Sequence, residues 1–162
     1  SWHSTSLLLR PIRPEDGAEH LRFFAALDPI DVRFRVFMHM RELQPSQLAR
    51  LTQIDYDREM AFIAVRKRAD GSDETLGVVR AIADPDNINA EFAIIVRSDL
   101  KGQGLGQLLM KKLIDYFRKR GTVSLVGEAL SDNKGMLEMV RNLGFSIHPE
   151  LDAGTSEMKL KL

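Results

Sequence analysis

The chain has 162 residues, which is the size of a single domain with its own hydrophobic core. Its 23 basic residues balance its 23 acidic residues, so the net charge gives no general attraction to nucleic acid or to an anionic membrane. The absence of cysteine excludes disulfides, thiolate metal sites and a cysteine nucleophile, and no apolar run approaches the ~20 residues that span a membrane.

The beginning of the chain carries no targeting pattern. Residues 1–6 lack the features of a signal peptide, and there is no initiator methionine. We interpret residues 1–162 as one domain excised from a longer protein. We expect a cytoplasmic location, with neither a nucleic-acid partner nor a membrane partner.

The first elements along the chain are a strand and a helix. Residues 7–12 predict an edge strand, because a proline follows closely, and residues 14–16 open a helix with acidic side chains in its first turn. The apolar residues predicted to form the buried face of this helix are Ala18, Leu21, Phe24 and Ala25. We interpret residues 31–52 as a mobile connection, in which Ser46 caps a short helix.

Apolar stretches separated by turns predict a central sheet. The predicted strands are 61–65, 75–83, 90–96, 123–129, 145–148 and 156–162. Turns at 69–73 and 84–87 favour antiparallel pairing of the first three, and amphipathic helices are predicted at 105–120 and 133–142. The order predicts a mixed α/β fold, with a mostly antiparallel sheet of about seven strands flanked by about four helices.

A run of alternating glycines joins a predicted strand to the helix at 105–120. Its sequence is Lys101-Gly102-Gln103-Gly104-Leu105-Gly106. Glycine permits positive-φ conformations that let backbone N–H groups converge, and a helix N-terminus adds free N–H groups and about half a positive charge. With the lysine at its rim, the loop predicts a pyrophosphate site. The alternative is a glycine-rich turn that binds nothing.

The loop differs from two other phosphate-binding loops. A P-loop ends in Gly-Lys-Ser/Thr, whereas Gly106 is followed by Gln107 and Leu108. The dinucleotide fingerprint has a further glycine where Leu109 stands and requires a parallel βαβ unit. We therefore expect a phosphorylated ligand of another kind.

These features resemble the GNAT acetyltransferase superfamily in two motifs. The family loop Gln/Arg-x-x-Gly-x-Gly/Ala grips the pyrophosphate of coenzyme A, and residues 101–106 match it with lysine in the first place. A second family segment, an asparagine that opens a helix ending in Gly-Phe, corresponds to Asn133 through Gly144-Phe145. The resemblance implies a GNAT-like fold and acetyl-CoA as cosubstrate, with no metal.

The resemblance also assigns the cofactor-binding residues. The strand before the loop offers unpaired backbone groups to the pantetheine arm, and one N–H can meet the negative charge that develops on the thioester oxygen. The residues implied in cofactor binding are Ile94, Ile95, Val96, Lys101, Gly102, Gln103, Gly104, Leu105, Gly106 and Asn133. For Asn133 the alternative is an N-cap of its helix, a role that Ser131 or Asp132 could also take.

A narrower resemblance is carried by residues 51–62 together with 100–106. Both segments look like the C-terminal GNAT domain of bacterial protein lysine acetyltransferases called Pat, which follows a large acyl-CoA-synthetase-like region. The resemblance implies acetylation of lysines in metabolic enzymes, typically an acyl-CoA synthetase, and a larger attached region. The alternatives are a small-molecule amine acetyltransferase and a non-catalytic acetyl-CoA-sensing domain.

Acetyl transfer to an amine requires a base, and a carboxylate can take this role. A lysine amine has a pKa of ~10.4, so it must lose a proton before it attacks a thioester. Glu91 opens the strand that leads to the glycine loop, where the family often places a glutamate base; the alternative is a solvated carboxylate. Glu59, which follows Asp55 and Asp57, is the second candidate, with a solvated turn as its alternative.

Other polar residues give weaker signals. Many GNAT enzymes carry a tyrosine general acid at the position of Val140, and neither Tyr56 nor Tyr116 has a matching place, so no general acid is assigned. The histidines have no metal-ligand spacing and are expected at the surface or in caps: His3, His20, His39 and His148. Four arginines could form a patch for a protein partner or be scattered charges: Arg33, Arg35, Arg41 and Arg50.

Overall fold

The computed structural model describes residues 7–25, 58–97, 100, 104–131, 133–150 and 154–162. Within these ranges one sheet holds seven strands: β1 (Leu8–Pro11), β2 (Glu59–Lys67), β3 (Asp73–Ala83), β4 (Asn89–Val96), β5 (Ser124–Leu130), β6 (Ser146–Glu150) and β7 (Thr155–Lys161). Three α-helices are described: α1 (Gly17–Ala25), α2 (Leu105–Lys119) and α3 (Lys134–Asn142). The predicted mixed α/β fold is confirmed. The fourth predicted helix, which Ser46 would cap, lies outside the described residues.

The strand order is β1-β2-β3-β4-β5-β7-β6. Every neighbouring pair is antiparallel except β4 and β5, which run parallel and pair only over Asn89–Glu91 and Ser124–Val126. Beyond these residues the ladders place β4 beside β3 alone and β5 beside β7 alone. The described sheet therefore opens into a wedge, which we call the cleft, between residues 92–96 of β4 and 127–130 of β5.

The two faces of the sheet bury different helices, because successive side chains of a strand point to opposite faces. Phe62, Ile94 and Met158 belong to the larger core cluster, which α2 and α3 cover. Ile63, Val78 and Ile95 belong to the smaller cluster, which contains Phe23 of α1. We call these the α2 face and the α1 face of the sheet.

The predicted buried face of the first helix is wrong. His20 and Phe23 are the buried residues of α1, whereas Leu21 is 40% exposed and Ala18 and Ala25 are exposed. A 3-10 turn at Pro14–Asp16 precedes the α-helix. His20 and Phe23 are three residues apart and so share one face of the helix, but a pattern built from apolar residues leaves out the histidine and selects a different face. The side chain of Phe24 lies outside the described residues.

The expected surface or capping position is also wrong for one histidine, His20. His20 is fully buried and packs its ring 6.0 Å from that of Phe23, so its imidazole is part of the core beneath α1. His148 is exposed, as expected. His3 and His39 lie outside the described residues.

The helix α2 ends where the sequence predicts. Gly121 comes directly after the C-cap of α2 and has φ 81°, the left-handed conformation expected of a glycine there. The described helices contain 9, 15 and 9 residues. None of them is long and apolar enough to cross a bilayer.

Candidate functional site

The N-terminus of α2 lies beside the end of β4. A Cβ added to Gly106 would be 3.8 Å from both Ile94 Cδ1 and Val96 Cγ2, and 3.0 Å from Met139 Sδ of α3. Leu105 is fully buried in the same core. The glycine therefore lets the first turn of α2 approach both the strand and the neighbouring helix closely.

Gly104 is the N-cap of α2 and has φ 86° and ψ −1°. This left-handed conformation costs an L-residue about 1–2 kcal/mol, so it explains why glycine stands here. No side chain caps this helix, and no acidic residue occupies its first turn. The first N–H groups and the positive end of the helix dipole therefore favour an anion. Lys101, Gly102 and Gln103 lie outside the described residues.

The free edge of β4 forms one lip of the cleft. Ile94 and Ile95 are buried, on the α2 and α1 faces respectively, and Val96 is half-buried. Their backbone groups on the β5 side have no ladder partner among the described residues. In a strand these groups come from alternate residues, so the edge can hydrogen-bond an extended ligand as an added strand would.

An aromatic ring fills the closed end of the cleft. A Cβ added to Gly127 of β5 would be 2.7 Å from Cε1 of Phe92, whose ring packs edge-on against Phe145 at 5.5 Å. Sequence reasoning missed this contact. A glycine inside a strand is a signal of close approach and could have indicated it.

Glu91 is exposed on the α1 face, at the last residue of β4 that pairs with β5. It shares that face with Ile95, which the family resemblance implies in cofactor binding. Glu91 therefore lies next to the closed end of the cleft, on the α1 face.

Glu59, the second candidate base, lies in line with Glu91. The register places Glu59 of β2 opposite Ile82 of β3, and Ile82 opposite Glu91. Two strand spacings separate the glutamates, or about 10 Å between their Cα atoms. Glu59 is 7% exposed, so the alternative of a solvated turn is wrong for this residue. Asp55 and Asp57 lie outside the described residues, as do the four arginines of the expected patch.

Glu128 lies beside the cleft and is not among the candidate residues that the sequence indicates. It lies on β5 with its side chain on the α1 face, past the end of the β4–β5 ladder. Burial raises the pKa of its carboxyl, and the negative charges of Glu150, Glu91 and Glu157 raise the pKa further. The alternation of half-buried residues along β5 could have placed Glu128 on the same face as Glu91.

Asn133 caps α3. Its Oδ1 accepts a hydrogen bond of 3.3 Å from the backbone N–H of Met136, so the capping alternative accounts for the observed contact. Ser131, another possible cap, is bonded instead to the hydroxyl of Ser156. Asp132 lies outside the described residues.

No tyrosine of the described chain is close to the cleft. Val140 is fully buried, and Tyr116 lies near the C-terminal end of α2, about 16 Å along the helix axis from Leu105. Tyr116 is half-buried and packs against Phe62. Tyr56 lies outside the described residues. The described residues also contain no group of three acidic or histidine side chains that could hold a metal ion.

Comparison with known proteins gives three findings. Residues 25–145 match the sequence model of the acetyltransferase (GNAT) family. A Pseudomonas aeruginosa protein named as an acetyltransferase is 32% identical over 139 residues, which are 86% of this chain and 74% of that protein.

Two solved structures share the fold. The GNAT domain of S. lividans PAT has a TM-score of 0.83 at 21% identity, covering 95% of this chain and 89% of that one. The structure of yncA from Salmonella typhimurium with its cofactor acetyl-CoA has a TM-score of 0.76 at 18% identity, covering 98% and 95%. Both likenesses extend over almost the whole of this chain.

Proposed function

This chain belongs to the acetyltransferase (GNAT) family, and we propose that it is a protein lysine N-acetyltransferase that uses acetyl-CoA. One observation above all supports this activity. An anion-favouring helix N-terminus and an open strand edge lie side by side, and the same strand carries an exposed glutamate. The proposed base, the proposed edge for the pantetheine amides and the proposed pyrophosphate site thus follow one another from β4 to the start of α2.

The described residues fit acetyl-CoA. The N–H groups of Leu105 and Gly106 would hold the pyrophosphate together with Lys101, Gly102, Gln103 and Gly104, since the close packing of Gly106 brings the helix end to the cleft. The edge at Ile94, Ile95 and Val96 would hydrogen-bond the pantetheine amides. The bound acetyl-CoA in the yncA structure supports the same ligand for this fold. Asn133 would contribute by fixing the start of α3.

When bound, acetyl-CoA supplies a thioester whose carbonyl carbon can be attacked by an amine. Glu91 accepts the proton that a lysine ammonium must lose, directly or through a water molecule. A backbone N–H at Ile94 or Ile95 donates to the thioester oxygen. The new amide bond forms as the carbon–sulfur bond breaks, and the second proton that the attacking nitrogen loses reaches the departing thiolate through water.

A lysine of a protein is the acceptor favoured by the sequence resemblance to Pat. The fold shared with the S. lividans PAT domain agrees with this choice. An acyl-CoA synthetase is the proposed substrate class, and a larger acyl-CoA-synthetase-like region is the proposed neighbour of this domain in the full protein. We place the activity in the cytoplasm.

The test of the chemistry is Glu91→Gln, with Glu138→Gln as the matched control. Glu138 is exposed on α3, on the opposite face of the sheet. Glu91→Gln is expected to lower kcat with a lysine peptide by about 10²–10⁴-fold. The dissociation constant of acetyl-CoA, measured by calorimetry, should remain that of the wild type, and Glu138→Gln should leave both values unchanged. An unaltered kcat in Glu91→Gln removes this residue from the mechanism.

The test of the acceptor uses acetyl-CoA carrying an isotope-labelled acetyl group. After incubation with a cell lysate, labelled lysines in a metabolic enzyme support the proposal. Label found only on small amines selects a small-molecule acetyltransferase. Tight acetyl-CoA binding without transfer to any acceptor selects a sensing domain.

A further inference from the structure

The α1 face of the sheet continues beyond Glu91 across the other lip of the cleft. The register aligns Glu128 of β5, Glu157 of β7 and His148 of β6 in one row. Met158 packs into the core on the α2 face, so its neighbour Glu157 lies on the α1 face. Paired residues of antiparallel strands have Cα atoms about 5 Å apart, so Glu128 and Glu157 are close neighbours.

A second row lies nearer the open end of the cleft. Leu130 of β5, Thr155 of β7 and Glu150 of β6 are aligned there, again on the α1 face. We call the four carboxylates on this side the acidic face: Glu91, Glu128, Glu150 and Glu157. Lys159, opposite Val126, is a cation on the same face, toward the closed end of the cleft.

Three of these carboxylates affect the pKa of Glu128. Burial is the largest cause that raises the pKa of Glu128, and the other causes are the charges of Glu150, Glu91 and Glu157. The folded chain therefore holds negative charge together where a nearby cation would stabilise it. The lysine ammonium of the proposed acceptor is an organic cation of this kind.

The hydroxyl of Thr155 is a second, independent indication that a ligand binds at the acidic face. The residue is 4% exposed, and its Oγ1 has no hydrogen-bond partner within the described structure. An unpaired buried hydroxyl is costly, and proteins seldom keep one without a use. Its side chain lies on the α1 face between Leu130 and Glu150, within the acidic face. A ligand with N–H donors and a positive charge would satisfy the hydroxyl and the carboxylates together.

We propose that the acidic face and Thr155 bind the acceptor, and that they select a lysine with basic residues beside it in the sequence of the substrate protein. The inference rests on the proposed lysine acetylation and names its preferred sequence context. The two rows lie across the cleft from residues 93 and 95 of β4, so an amine guided along them arrives at the thioester and at Glu91. Complementary charge contributes to the rate of encounter and to the choice of partner.

The experiment compares two peptides, each with a single acceptor lysine, one flanked by arginines and the other by glutamates. The variants are Glu128→Gln, Glu157→Gln and Thr155→Val, with Glu138→Gln on the opposite face as the control of equal charge change. For the basic peptide we expect each glutamate variant to raise KM by about tenfold while kcat changes little. The KM of the acidic peptide should stay the same or fall, and the salt dependence of kcat/KM should weaken.

Thr155→Val separates binding from folding. Valine has nearly the same shape, and the lost hydroxyl has no partner within the described structure, so the variant should be as stable as the wild type or more stable. A raised KM for the basic peptide in this stable variant supports a ligand-facing role. Equal KM values in the wild type and all three variants overturn the inference and leave lysine acetylation standing.

The two proposals fail in different ways. If neither peptide is acetylated, the proposed acetyl transfer to lysine fails. The acidic face is then tested by fluorescence anisotropy of the labelled basic peptide in the presence of coenzyme A. Binding that weakens in Glu128→Gln and Glu157→Gln but not in Glu138→Gln supports the cationic partner, and an absence of binding by the wild type refutes it.

Discussion

The ring of Phe92 occupies the space that a side chain at Gly127 would fill, because an added Cβ would lie 2.7 Å from its Cε1 and 2.9 Å from its Cζ. The two residues stand on β4 and β5 immediately past the last pair that joins these strands. The ring also contacts Phe145, so it cannot move away from the glycine without disturbing the core. One contact between neighbouring strands thus fills the closed end of the cleft.

Gly127→Ala is expected to destabilise the fold by about 1–3 kcal/mol, since overpacking displaces a buried ring. The substitution should also weaken acetyl-CoA binding, because β4 and β5 would shift relative to each other along the cleft. Urea unfolding and calorimetry measure the two effects. Gly135→Ala is the control: a Cβ there meets nothing within 4 Å, and alanine in a helix is more favourable by about 0.5–1 kcal/mol. A Gly127→Ala variant as stable as the wild type would show that Phe92 has room to move.

Gly104→Ala tests the conformation of the glycine loop. A Cβ there meets nothing within 4 Å, so the cost comes from φ 86° alone and should be about 1–2 kcal/mol. We expect weaker acetyl-CoA binding, because the backbone will shift to relieve the strain at the proposed pyrophosphate site. Calorimetry measures this affinity in the variant and in the wild type.

Gly71→Ala supplies the control for that prediction. Gly71 has φ 88°, also with open space around it, but it lies in the turn between β2 and β3. Its replacement should cost similar stability with no change in acetyl-CoA affinity. Equal losses of affinity in the two variants would indicate that global destabilisation, and not the loop, explains the result.

Much of this site could be predicted because its parts are local in sequence. Gly104 caps a helix with clear periodicity, and Leu105 and Gly106 are its first two residues. Gly121 and Asn133 mark helix ends, as such residues usually do. Local rules of this kind depend only on neighbouring residues. The structure agrees with them to within one or two residues at most element ends.

The unpredicted parts depend on pairing between distant segments. Glu128 and Glu157 come together through strand register, which links residues far apart in the chain. The contact of Phe92 with Gly127 follows from where the parallel ladder stops, and no short motif marks that point. The buried face of α1 was predicted wrongly because the pattern counted only apolar residues, whereas the buried face contains the polar residue His20.

The ion pair of Arg10 and Asp16 should make stability depend on acid pH. Two hydrogen bonds of 2.8 and 2.7 Å join the guanidinium to the carboxylate, which also accepts from the backbone N–H of Arg13 at 2.7 Å. Burial opposes ionisation of Asp16, but these hydrogen bonds outweigh it and lower its pKa. The stabilisation is therefore complete above the unfolded pKa of about 3.9 and is lost as the pH falls through the folded value.

Asp16→Asn is expected to cost on the order of 3 kcal/mol at neutral pH, because it leaves a largely buried guanidinium without its main partner. The loss should shrink as the pH is lowered, and urea unfolding at a series of pH values measures it. Asp115→Asn is the control, since its pair with Lys119 is 60% and 76% exposed. Such a pair contributes about 0–1 kcal/mol. A loss of stability in Asp16→Asn that does not depend on pH would show that the contact with Arg10 does not lower the pKa of this carboxyl.

Glu128→Gln should stabilise the folded chain while it impairs the acceptor site. The pKa of Glu128 is raised by burial and by three other carboxylates, so its charged form is less favourable in the folded state than in the unfolded chain. The sign is opposite to that of Asp16: any stability from this group is present below its unfolded pKa and is lost as the pH rises through the folded value. Removing the charge should therefore raise Tm at pH 7, with little difference from the wild type near pH 3.

Scanning calorimetry of Glu128→Gln and Glu138→Gln at both pH values checks this prediction. Glu138 lies on α3 away from the acidic face, so its variant should match the wild type throughout. A lower Tm for Glu128→Gln at neutral pH would mean that a favourable contact of the carboxylate outweighs the repulsion. A higher Tm combined with a raised KM for a basic peptide is the pattern expected where folding stability is given up for binding. That combination would distinguish a ligand-facing carboxylate from one that only supports the fold, since the latter would lose stability and activity together.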